Sequence, residues 1–385
     1  MVLYWFSFYA YSPVFTEYVK GFSTSQMAGT IIASYGFMQM LLRIPVGILS
    51  DKLKTRKLFV IVSAVLSMIS ALGLAFFQTP GMALVFRGLA GVAVSAWVPF
   101  TILFSSYFKP EEATRAMGIV NAFNFGGQMT ATLLGGFAAD ITGDVRWAFF
   151  LSAIAAFVAA GLSFFIIDQP KEEFGEGGVS LKAVVGVAKD KKLMLASLLA
   201  MLNRFACFAT MYGFTPTFAK EQMGASQSQL GILATLITLP AIFSAASSSK
   251  FCKATKGLHN ALLITFSVTA VYCAVVPFIM DLTVLYIAQF ICGFALGIST
   301  SMLMGYSIED ISPKLRATAM GFYQAIYGLG MTLGPQIVGW FGKSAVGETN
   351  LPGLTTGFLV VAVTQVIAGG IAWFFVKKFS KKAEA

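Results

Sequence analysis

The sequence predicts an all-α integral membrane protein, with twelve transmembrane helices in two pseudo-symmetric six-helix bundles. Three observations predict it: the composition, the number of long apolar runs, and a passage written twice. Of the 385 residues, 57% are hydrophobic and only 11% charged, and the mean hydropathy is +0.77. A soluble chain carries about 25% charged residues. Thirty-seven phenylalanines in such a chain exceed what a soluble core can hide.

A helix needs about 20 apolar residues to cross a bilayer core. Twelve runs qualify: 1–19, 27–49, 58–77, 82–104, 116–138, 147–167, 193–217, 229–249, 261–279, 283–305, 317–341 and 354–376. Several contain Gly or Pro, which membrane helices tolerate when neighbours satisfy the freed backbone groups. No positively charged stretch precedes the first run and no small-residue cleavage site follows it, so no signal peptide is expected. The first span begins at or before Met1.

The longest connection, 168–192, is rich in charge and glycine and follows the sixth run, so it reads as a linker. It divides the chain into an N-terminal six-helix bundle (1–167) and a C-terminal one with a short basic tail (193–385). Basic residues separate into two sets of loops. One holds Lys52, Lys54, Arg56, Lys57, the linker lysines and the basic tail; the other holds only Lys20, Arg146, Lys220 and Lys343. The positive-inside rule places the first set, the linker and both termini in the cytoplasm, with the protein in the cell membrane. This accounts for the net charge of +10 without nucleic acid. A basic inner face suits an anionic inner leaflet.

The repeat is the third observation. Ala113–Gly127 reads "ATRAMGIVNAFNFGG"; about 200 residues on, Arg316–Gly330 reads "RATAMGFYQAIYGLG". Aligning the two Ala-Met-Gly steps pairs Asn121 with Gln324, Asn124 with Tyr327, Gly127 with Gly330 and Ala131 with Gly334. The fifth span of each half is thus written twice in the same orientation, a parallel repeat about an axis along the membrane normal. Two such halves can rock about a site at their interface and expose it to each side in turn.

Several function classes are excluded or unsupported. The single histidine, His259, excludes a multi-histidine metal site, and the four cysteines have no disulfide or zinc spacing. No paired carboxylates, nucleophile–base set or phosphate-cradling loop appears. An enzyme is not expected, nor any cofactor or bound metal, and an ion or solute gradient must supply the energy.

The loop between spans two and three, "GILSDKLKTRK" from Gly47 to Lys57, carries the most specific pattern. On Gly47, Asp51, Lys52 and Arg56 the chain resembles the major facilitator superfamily over essentially its whole length. Lys54 stands where that family has a second glycine, and Thr55 replaces a basic residue. The resemblance implies that Asp51, Lys52 and Arg56 latch the two halves. A carboxylate there can pair with Lys52 or Arg56, or cap a neighbouring helix; the plainer alternative is a solvated basic loop. "RGLAG", Arg87–Gly91, also resembles the family. Its Gly-Pro step is missing from "GQMTATLLGG", Gly127–Gly136, and present in "GMTLGP", Gly330–Pro335. In drug-exporting members that step lies in span five, so its absence there argues against a simple antiporter. Gly127, Gly135, Gly330, Gly334 and Pro335 are expected at close helix contacts.

Charge inside the membrane points to the substrate, because a central Arg costs about 2.5–3.5 kcal/mol on insertion scales. Arg43, Arg87 and Arg204 lie within spans, with no acidic residue deep in any span. Arg204, beside Asn203, is nearest mid-membrane, in a helix that lines the cavity in the resembled family. A guanidinium there suits a carboxylate or phosphate. Arg43 lies closer to the cytoplasm and is assigned to the gate; Arg87 is either structural, coupled to proton movement, or a substrate contact. Asn121, Asn124, Gln128 and Thr132 share one helical face, with Gln324 and Tyr327 as counterparts of the first two. They serve substrate or interhelical hydrogen bonds. Tyr9 is a candidate stacking residue. The expectation is a monomeric secondary transporter of a small organic anion, bathed in lipid, with a proton or another ion as coupling partner. The alternative is a proton-coupled exporter of hydrophobic compounds. A non-transporting membrane sensor is the other class, but it usually requires a signalling domain or long tail, and none is seen in this sequence.

Overall fold

A computed structural model describes residues 1–108, 113–168, 186–311 and 315–379, with the main chain alone at 113–118, 121, 316 and 317. Among the described residues the regular elements are helices, with no strand. The N-terminal half holds α1 (Val2–Tyr9), α2 (Ser12–Lys20), α3 (Ser25–Lys52), α4 (Lys57–Phe76), α5 (Pro80–Val94), α6 (Trp97–Ser105), α7 (Ala113–Thr142) and α8 (Arg146–Ser163). The C-terminal half holds α9 (Lys191–Ala209), α10 (Thr215–Met223), α11 (Gln227–Ala246), α12 (Ser248–Ala254), α13 (Leu258–Val275), α14 (Leu282–Ser307), α15 (Arg316–Phe341) and α16 (Leu351–Ile371). Most of the expected linker, residues 169–185, lies outside the described residues.

Short polar side chains start these helices. Thr24, Asp190, Asp281 and Asn350 each accept a hydrogen bond from a first-turn N–H, and Ser226 with Gln229 forms a reciprocal capping box. Nine helical segments among the described residues are long and apolar enough to cross a membrane. The other three expected spans are the broken pair α1–α2 and the two repeat helices, α7 and α15, whose apolar character glycines and amides dilute. Phe157, Val271, Ile287 and Val363 stand exposed on the outer surface, where lipid replaces water.

The repeat is visible in the packing. In the first half α1 packs on α7, α3 on α5 and α4 on α8; in the second α9 packs on α15, α11 on α14 and α13 on α16. These are the same pairs displaced by six spans. The glycines expected at close contacts serve them equivalently. A Cβ on Gly135 would sit 1.7 Å from the Ala10 carbonyl oxygen, and one on Gly330 would sit 2.0 Å from that of Met201. Gly127 faces α1 and Gly334 faces α9 in the same way. Even the bends correspond: α1 ends just before Tyr11, and α9 runs into a π-turn at Thr210–Phe214.

Between the halves, α3 packs on α15 and α7 on α11. Gly29 lies against the Pro335 carbonyl and Gly36 against Met331. One buried apolar cluster joins Tyr4, Trp5, Phe8 and Tyr35 to Phe205, Phe208 and Met211. The site described next lies along this seam.

Candidate substrate site and gates

Three arginines lie near the seam: Arg43 and Arg87 are buried, and Arg204 is partly exposed. Arg43, on α3, is 5% exposed. Its Nη1 donates to Gln324 Oε1 at 2.8 Å and to Tyr327 Oη at 2.7 Å, both on α15 of the other half, while Nη2 donates to Gln39 Oε1 at 2.9 Å. Arg204, on α9, lies on the same tyrosine: the guanidinium carbons of Arg43 and Arg204 are each 5.6 Å from the Tyr327 ring centre. Arg204 Nη2 reaches Thr300 Oγ1 at 3.4 Å, a long contact, and Cys207 lies beside it. Arg204 sits deep in the protein yet keeps part of its surface open.

Arg87, on α5, occupies an aromatic cage. Its guanidinium carbon lies 5.4, 4.7 and 4.4 Å from the ring centres of Tyr11, Phe15 and Tyr35, and Nη1 donates to Tyr11 Oη at 2.9 Å. Such faces stabilise a cation without a counter-charge. Arg87 and Tyr9 border one small cavity with Tyr35, Phe208 and Tyr212, closed down to about 20 Å³. Among the described residues, none of the three arginines forms an ion pair with a carboxylate.

The other predicted residues divide. Gln324 and Tyr327 join the arginine cluster. Asn203 turns away, its Nδ2 donating to Ser299 Oγ at 2.7 Å on α14. Gln128 donates to Asn124 Oδ1 at 2.5 Å along α7, and Thr132, one turn on, bonds Thr235 of α11 at 3.0 Å across the seam. The polar face of α7 therefore exists, and its far end ties the halves together. The Asn121 side chain lies outside the described residues.

One end of the seam is shut, the end that carries Lys20. Buried Lys20 (4% exposed) donates to Thr349 Oγ1 at 2.6 Å and lies 3.3 Å from Glu17 and 3.5 Å from Glu221. Thr217 donates to Glu17 at 2.5 Å, Thr16 donates to the Gly213 carbonyl at 2.7 Å, and Ser25 and Ser344 hydroxyls meet at 3.1 Å. The Gly213 carbonyl lies in the π-turn, where a widened backbone leaves acceptors for side chains. Asp140, at the end of α7, accepts from Ser226 Oγ and from the N–H groups of Gln227 and Ser228 at 2.7–2.9 Å. A carboxylate from one half thus caps a 20-residue helix of the other.

Comparison with known proteins matches this chain to the family model described as Major Facilitator Superfamily, over residues 1–335 and 260–385. The chain belongs to the major facilitator superfamily. An uncharacterised MFS-type transporter of Methanocaldococcus jannaschii is 20% identical over 376 residues, covering 95% of this chain and 94% of that one. Multidrug resistance protein MdtG of Dickeya zeae is 21% identical over 370 residues, covering 94% and 88%. The solved structure of a bacterial homologue of the human lysosomal transporter Spinster, inward-facing and unoccupied, superposes with a TM-score of 0.78 at 16% identity, covering 98% and 96%. The protein is therefore a multi-pass membrane transporter and not an enzyme.

Membership gives the α3–α4 loop its context. Gly47 and Asp51 lie on the last turns of α3, and Asp51 pairs with Arg56 Nη2 at 3.2 Å. Lys52 points to solvent. Asp168, in the segment after α8, accepts from the Arg56 N–H at 3.1 Å and from Thr55 Oγ1 at 2.7 Å, capping α4 from outside its own helix. Lys54, at the family's second glycine, has φ +48°, in the left-handed region that glycine enters freely. The glycine position is thus a backbone requirement that this chain meets with lysine.

Sequence reasoning overlooked Asp140, Asp168, Gln39 and the Glu17–Lys20–Glu221 set. Their partners lie 86 to 201 residues away for Asp140, Asp168 and Lys20–Glu221, a separation no local pattern carries. Gln39 was findable: it is one helical turn before Arg43.

Proposed function

We propose that this chain is a secondary active transporter that carries a small organic anion across the cytoplasmic membrane by alternating access. The observation that supports it is the set of arginines at the seam, which have no carboxylate partner among the described residues. An unpaired charge deep in a membrane protein is costly and marks function. A transported anion supplies the missing counter-charge during each cycle. Positive-inside counting puts the Lys52 end in the cytoplasm, so the described form, shut at the Lys20 end, faces inward. Absence of any phosphate-cradling motif in the sequence leaves an ion or solute gradient as the driving force.

A second reading, a proton-coupled exporter of hydrophobic compounds, is favoured by the MdtG relative and by the aromatic lining around Arg87. Thermal-shift measurement on purified protein separates the two. Organic anions should raise the melting temperature of the wild type, as bound ligand at 100 Kd adds about 2.7 kcal/mol. Arg204→Ala should abolish that shift and leave the ligand-free melting temperature within a few degrees. Stabilisation by lipophilic cations and not by anions selects the exporter.

A further inference from the structure

Arg43 and Arg204 stand on the same tyrosine from opposite halves of the protein. Each guanidinium carbon is 5.6 Å from the Tyr327 ring centre, so the two carbons lie no more than twice that distance apart. Arg43 belongs to α3 and Arg204 to α9. Arg43 is held, but not fully used. Its Nη1 and Nη2 bond neutral oxygens of Gln324, Tyr327 and Gln39, while its Nε is buried with no acceptor. Nε and Nη2 share the edge of the guanidinium that takes a carboxylate in two-point fashion. Arg204 has a long hydroxyl contact and part of its surface open. Gln324 and Tyr327, the α15 partners of Arg43, are themselves partly exposed.

We infer that the substrate is an organic dianion, a short dicarboxylate, bound with one carboxylate on Arg43 and the other on Arg204. A monoanion satisfies one guanidinium and leaves the other buried charge uncompensated, whereas a dicarboxylate neutralises both. It also ties α3 to α9, so occupancy is coupled to the relation between the halves. Arg43 then acts as a substrate ligand as well as a cross-half contact, while the caged Arg87 keeps its aromatic partners. This rests on the anion reading above and adds the charge number and the second arginine.

The experiment compares succinate and glutarate with butyrate, by calorimetry on the purified full chain at constant pH and ionic strength. Wild type should bind the better dicarboxylate at least tenfold more tightly than butyrate. Arg43→Gln, which keeps a hydrogen-bonding amide, should retain butyrate affinity within about threefold and shrink the preference to threefold or less. Arg43→Lys keeps the charge without the fork and should fall between, and it serves if the glutamine variant does not purify as a folded protein. Arg204→Ala should lose all three ligands. Equal binding of succinate and butyrate by wild type overturns the dianion inference and leaves the anion reading standing. So does an Arg43 variant that weakens every ligand alike, or one that keeps the full preference. Failure of every carboxylate to bind folded wild type overturns both.

Discussion

Lys54 shows how a single residue can depart from its family and be accounted for. At φ +48° its Cβ crowds the backbone, a strain of about 1–2 kcal/mol for a non-glycine residue. Glycine removes that strain but gains freedom in the unfolded chain, so the net benefit is smaller. Lys54→Gly should stabilise the protein by ~0.5–1 kcal/mol, read as a higher melting temperature, whereas Lys52→Gly, at the end of α3, should lower it. A fall with Lys54→Gly would show that the lysine side chain contributes more than the strain costs. The lysine's place in the motif was legible in the sequence; its dihedral angle was not. Arg204 stood out in the sequence as an arginine amid apolar residues, and the structure places it on Tyr327 together with Arg43. Asn203 beside it points elsewhere: neighbours in sequence stand about 100° apart on a helix, and its amide bonds Ser299.

At the scale of elements, the capping of α11 by Asp140 makes closure depend on pH. Burial works against the Asp140 carboxylate, but hydrogen bonds from Ser228, Ser226 and the N–H of Gln227 outweigh it and hold its pKa below the usual value. A group held charged by closure favours closure above its ordinary pKa, and that contribution is lost as pH falls through the lowered value. The Lys20 end should therefore loosen below about pH 4, the ordinary carboxylate range. A distance probe between the ends of α7 and α11 should register opening on acidification of wild type. Asp140→Ala should open more readily at neutral pH and lose that acid-dependent step. A variant matching wild type at every pH would remove Asp140 from the gate. Most helices were legible from apolar length alone, and the polar face of α7 from its spacing. The breaks after Tyr9 and at Thr210 were passed over, although Pro13 and Pro216 stand in the first turn of the helix that follows each, the usual mark of a new helix start.

For the molecule as a whole, the repeat in the sequence became a repeat in packing, which is why two halves could be read before any contact was known. The seam between them could not, since it joins residues such as Lys20 and Thr349, 329 positions apart. That seam supplies the strongest test of alternating access. Ser25 and Ser344 lie on opposite halves at the shut end, their hydroxyl oxygens 3.1 Å apart. Paired cysteines at these positions are close enough to be bridged by a disulfide or a short bifunctional reagent. If the halves must part here once per cycle, the bridge should stop transport, and reduction should restore it. On the inward-facing reading proposed above, ligand binding from the Lys52 side should persist in the bridged protein, because that reading has the site open to that side. Each single cysteine should transport as wild type does. In intact cells an impermeant thiol reagent should reach Ser25→Cys alone only when the Lys20 end opens outward, and more readily while substrate is being moved. Full transport by the bridged protein would mean that the two halves do not rock about this seam, and the site would then have to open by a different motion.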